Sequence, residues 1–179
     1  MDSKNTLRYA DERDKSYGVA GMAIAVVAYD REDALAAVDM DADSDHSIEF
    51  GNEFYFYANP RMSAKIAWTE ILKQFRLATG LLVANAISRS YVQHRRRLAQ
   101  DTIDAMRDAV RECGLSDDVQ LVDEEIDAIF DRNIDFFDSL FQRQATHDAA
   151  NALAADLMSH RRLSAAETID RLAGMMRFL

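Results

Sequence analysis

Apolar and polar residues succeed one another along most of this chain at a spacing that makes helices. Asn59–Pro60 reads as a helix start, with Asn as N-cap and proline at the first helical position. Beyond it, Trp68, Ile71, Leu72, Phe75, Leu82 and Ala86 share one face at about 100° per residue. Leu77 and Leu81 add a second strip, which makes this the central helix. From Ile87 the apolar side rotates to Ile87, Tyr91, Leu98, Met106, Val110 and Cys113. An unbroken helix over 60–113 would be about 80 Å long, whereas a compact chain of this size has a radius of gyration of only ~16 Å. The segment therefore bends or breaks between about 80 and 97, in the stretch from Gly80 to the polar run Gln93–Arg97.

The later elements follow the same logic. Gly114 reads as a helix C′ residue and Ser116 or Asp117 as the next N-cap. The following helix carries Val122, Ile126, Ile129, Phe130, Phe137, Leu140 and Phe141 on one broad face, with Asn133 inside the apolar arc. An alanine-rich helix is expected over about Thr146–His160. Ser164-x-x-Glu167 is a capping box that opens a last helix with Ile169, Leu172, Met176 and Leu179. Toward the N-terminus, the apolar run between Tyr17 and Tyr29 is short enough to be a buried helix or a buried strand. Alanine and methionine favour helix and Val26–Val27 favours strand; we read a helix that continues in some form through Ala34–Val38. The β signal lies at about 47–57, where Ile48–Phe50 and Phe54–Tyr57 flank Gly51–Asn52 as in a hairpin. The expectation is a mainly α, irregular bundle of five to seven helices with one small β-hairpin. Residues 1–15 form a polar arm and 16–179 a single domain.

Composition narrows the class. The 179 residues are 49% apolar and 29% charged, with one proline and six glycines, which favours long helices over a turn-rich β fold. A net charge of −10 argues against general nucleic-acid binding. The basic runs His94–Arg97 and His160–Arg162 read as polar bends between helices or as partners of the acidic helix. Cys113 is the sole cysteine and cannot form an intrachain disulfide; its helical position marks it as a small core residue. The 17–29 run is too short to span a membrane, which takes about 20 residues. Charges before it cancel, unlike a secretory leader, so the protein is expected to be cytoplasmic and not membrane-bound.

Three groups of residues are candidates for function. Asp39, Asp41, Asp43 and Asp45, at every second position, offer the oxygen ligands that Ca²⁺ or Mg²⁺ takes. The run resembles an EF-hand loop but departs from it at the turn glycine, where Ser44 or His46 stands, and at the closing glutamate, where Phe50 or Asn52 stands. Asp123, Asp127, Asp131 and Asp135 recur every fourth residue and form an acidic face, either solvated or a docking strip for a basic partner. Met175, Met176, Phe178 and Leu179 end the chain on an apolar stripe, and the consecutive aromatics Phe54–Tyr57 put large side chains on both faces of the hairpin's second strand, so these four and Phe54 and Phe56 are candidate interface residues.

His147-Asp148 matches the dipeptide of the HD phosphohydrolases, although its small, polar flanks depart from that family's buried metal helix. No P-loop, dinucleotide glycine pattern, nucleophile elbow or His-Glu-x-x-His is present. The sequence thus points to a non-catalytic helical interaction or scaffold protein that self-associates as a homodimer or binds another protein. A divalent-cation protein or metal-dependent hydrolase using the clustered carboxylates is the alternative. A third is a small-ligand pocket among Trp68, Phe75 and the hairpin aromatics.

Overall fold

The computed structural model describes residues 7–43, 46–55, 64–114 and 119–177, and the side chains of all of these except 53, 55 and 64–67. The described chain is mainly α, with six α-helices and a three-stranded antiparallel sheet. Helix α1 (Glu12–Ala28) begins inside the stretch expected to be an arm, because Asp11 caps it by accepting the Asp14 N–H at 2.7 Å. From Gly18 to Val27 every residue of α1 is buried. A helix apolar on all sides belongs in the middle of a core, and α1 packs against both α2 and α5.

The helix does not continue to Val38. Tyr29 caps it, and Asp30 turns the backbone left-handed at φ 53°. A short 3₁₀ turn at Glu32–Ala34 leads into strand β1 (Leu35–Asp39). β1 is the middle strand: β2 (Ile48–Phe50) pairs on one edge and β3 (Arg162–Ser164) on the other, with Val38 opposite both Ile48 and Leu163. Two ladders outweigh the helical preference of a five-residue segment, since strand formation is decided by neighbours more than by composition.

The β element is therefore present but paired differently from the expected 47–57 hairpin. β2 turns back onto the preceding β1 rather than onto the residues after it. Gly51–Asn52 is not a hairpin turn: Asn52–Tyr55 forms a 3₁₀ turn, which folds the Phe54 ring onto Phe50 with centroids 4.0 Å apart. Phe56, Tyr57 and the Asn59–Pro60 start lie outside the described residues.

Helix α2 (Ala64–Ile87) passes into a π-helical turn at Ser88–Gln93 and ends where Arg95 takes φ 56°. The long helical segment is thus broken within the expected window, and α3 (Gln100–Gly114) runs separately. α4 (Asp123–Phe141) starts later than Ser116 or Asp117 suggested, because Leu121 is buried and donates its N–H to the Gly114 carbonyl at 3.0 Å. Gly114 itself is the last residue of α3. α5 (Gln144–His160), β3 and α6 (Ala165–Met176) complete the chain, and Ser164 caps α6 with Glu167 in the expected box. Among the described residues no helix is long and apolar enough to cross a membrane.

Candidate functional site

An apolar cavity of about 440 Å³ lies against α2, between the end of α3 and the aromatic pair Phe50–Phe54. Its described wall includes Ile71, Phe75, Leu77 and Leu81 of α2, together with Val119. Two side chains on it carry heteroatoms. Gln74 has spent its amide N–H₂ on the Phe54 carbonyl at 2.8 Å. The other, Cys113, is exposed rather than buried in the core. The helical wheel put it on the face of Met106 and Val110, which are buried, but Cys113, one residue before the end of α3, lines the cavity instead. Trp68 lies outside the wall and is 40% exposed.

Two of the four aspartates in the run are engaged by arginines. Arg162 pairs with Asp39 at 2.8 Å and also with Glu49, while Arg161 pairs with Asp41 and with Glu12 at 3.2 Å. Burial pushes the Asp39 carboxyl up, but the Asp41 N–H and Arg162 outweigh it and hold the group below the usual carboxylate range. Asp43 contributes its backbone carbonyl to His46 and Ser47, and Asp45 lies outside the described residues. Among the described residues no three of His, Cys, Asp and Glu are gathered as metal ligands.

Two of the four α4 aspartates are likewise used within the chain. Asp127 meets Arg111 at 2.6 Å and Arg107 at 3.5 Å, and Asp131 meets Arg107 at 2.8 Å. The bond to Arg111 lowers the Asp127 carboxyl. Asp123 and Asp135 are exposed. Met175 is 2% exposed and Met176 packs on the core, so this end of the apolar stripe is consumed by the fold. Phe178 and Leu179 lie outside the described residues.

Three buried polar groups stand apart. Asn133 is 3% exposed, accepts the Tyr29 hydroxyl and donates to the Ile129 carbonyl at 2.9 Å. Its place in the apolar arc was readable from the wheel; its partner was not. Burial raises the Tyr29 hydroxyl above its usual pKa, with Arg76 pulling the other way. Asp14, sequence-adjacent to surface charges, is buried and held by Arg89 through two bonds of 2.9 and 2.6 Å. His147 is buried beside Asn151, which bonds Tyr17. Burial and the nearby Arg95 lower its pKa, and Asp148 lies 3.8 Å away as a weak exposed partner. The His147-Asp148 dipeptide thus joins a hydrogen-bonded helix contact.

No protein-family model, curated protein or solved structure matches this chain.

Proposed function

We propose that this chain is a non-catalytic helical interaction protein that takes a small apolar molecule in the cavity against α2. The supporting observation is the wall itself: about 440 Å³ of space bounded by aliphatic and aromatic side chains, with the one amide on it already committed. That volume lies within the ~300–1,000 Å³ of ordinary ligand pockets. Such a lining offers release of water and dispersion contacts rather than proton transfer. Titration of the full chain with the neutral fluorophore 1-N-phenylnaphthylamine is expected to saturate at one site. Ala78→Trp, at an exposed α2 position on the wall, is expected to weaken that binding roughly tenfold by occupying the space, with Tm unchanged. Binding that never saturates, or that Ala78→Trp leaves intact, removes the reading. Occupancy should also slow alkylation of Cys113, the sole thiol.

A second reading, self-association, is favoured by large apolar side chains left at the surface, notably Trp68 and Val122. Sedimentation velocity across the micromolar range is expected to show a dimer that Trp68→Ser weakens. A monomer throughout that range ends this reading.

A further inference from the structure

We propose that the junction of α1, α2 and α4 binds a small organic anion carrying an aromatic or apolar ring. A second cavity of about 320 Å³ opens there, distinct from the one against α2. Arg76 of α2 and Arg132 of α4 stand on its wall, Tyr29 and Asn133 supply its polar groups, and Ile129 and Phe136 its apolar ones.

Charge is the first argument. Acidic residues outnumber Lys and Arg by 31 to 21, and Arg89, Arg107, Arg111, Arg161, Arg162 and Arg171 each have a carboxylate within ion-pair distance. Among the described residues Arg76 and Arg132 have no such partner, and the wall they stand on carries no carboxylate. Asp131, next in sequence to Arg132, pairs with Arg107 instead, and Glu70 pairs with Lys73. Two like charges around one concavity repel, and a concave low-dielectric wall focuses their field on whatever enters. Guanidinium groups match carboxylate and phosphate oxygens in paired bonds.

The polar floor is the second. One Asn133 amide hydrogen goes to Ile129, and the other has no acceptor among the described residues. The residue is nearly fully buried, so a ligand oxygen would satisfy a donor that water reaches poorly. The floor is also fixed in place. A Cβ on Gly80 would come within 2.5 Å of the Tyr29 ring and 3.1 Å of Asn133 Oδ1, so the absence of a side chain there is what admits this pair.

Phe136 decides the rest of the ligand. It is 42% exposed, with its ring 6.3 Å from Tyr29 and edge-on to Phe137 at 5.0 Å. A bare inorganic anion would leave that ring and Ile129 uncovered. A neutral ring would leave both guanidiniums unmatched.

The test is calorimetric titration of the full chain with phenyl phosphate and benzoate, against inorganic phosphate and benzyl alcohol as the charge-only and ring-only controls. At least one aryl anion is expected to bind roughly tenfold more tightly than both controls, and which of the two binds more tightly identifies a phosphate or a carboxylate ligand. Arg76→Gln and Arg132→Gln are each expected to lower that affinity roughly tenfold. Both side chains are exposed, so Tm should hold. Failure of both aryl anions to exceed the controls, or unchanged affinity in either variant, overturns the assignment.

Discussion

Asp14 and Asn133 show opposite outcomes for a polar side chain met in the sequence. Asn133 sits where the wheel is apolar, so its burial and need for a partner follow from spacing alone. Asp14 sits among charges in a segment that looks solvated, yet it is 5% exposed and doubly bonded to Arg89. The reason is distance along the chain: 75 residues separate the two, and no local pattern announces the pairing. Burial raises the Asp14 carboxyl, but Arg89 and the Ala10 N–H outweigh it, and the net shift is downward. A folded pKa below the unfolded one contributes stability above about pH 3.9, and that stability is lost as pH falls through the folded value. Asp14→Asn is therefore expected to cost about 3 kcal/mol at neutral pH, because it leaves the Arg89 charge uncompensated. In urea melts at successive pH values, the gap to the unaltered protein should narrow below about pH 3.9. A gap that is constant with pH would show that the pair carries no linkage.

Glycines set how closely the helices approach. A Cβ on Gly21 of α1 would lie 2.6 Å from Ser88 Cβ and 2.9 Å from the Ala84 carbonyl carbon, and backbone cannot step aside as a flexible side chain can. Gly21→Ala is expected to destabilise by about 3 kcal/mol through forced separation of α1 from α2. A Cβ on Gly174 of α6 would meet nothing within 4 Å, so Gly174→Ala should stabilise by about 0.5–1 kcal/mol through helix propensity. Chemical denaturation of the two variants checks both signs at once. At the same scale, α3 and α4 are joined by Arg107 and Arg111 reaching Asp127 and Asp131, which explains the four-residue aspartate spacing in part as an inter-helix ion-pair row. Partly exposed pairs of this kind add modest stability and help to fix orientation.

Across the whole molecule, the sheet and its arginines fasten distant parts of the chain to one another. β3, between α5 and α6, completes the sheet begun by β1 and β2, and Arg161 and Arg162 reach back to Glu12, Asp39, Asp41 and Glu49. Two of the aspartates that suggest a cation site when read in isolation, Asp39 and Asp41, meet their positive charge from the same chain, more than a hundred residues later. α1 lies against α2, α5 and α6. The apolarity of its Gly18–Val27 stretch, ambiguous as a local signal, is what a helical segment enclosed on all sides requires.

Helix class, the approximate bounds of α5 and α6, the apolar face of α4, the Ser164 cap, the break after Gly80 and the burial of Asn133 were all legible because each is a local matter. Periodicity, capping and propensity act within a few turns. The pocket read at Phe75 and the hairpin aromatics matches the first cavity in part, with Trp68 outside it. The identity of β1, the partner of β2, the exposure of Cys113 and the cavity beside Arg76 and Arg132 were not legible. Each is set by which surfaces meet across long stretches of chain, and a segment as short as Leu35–Asp39 takes its conformation from the strands on either side of it. Composition and spacing determined that this chain would fold as helices around an apolar interior; only their packing decided where that interior was left open.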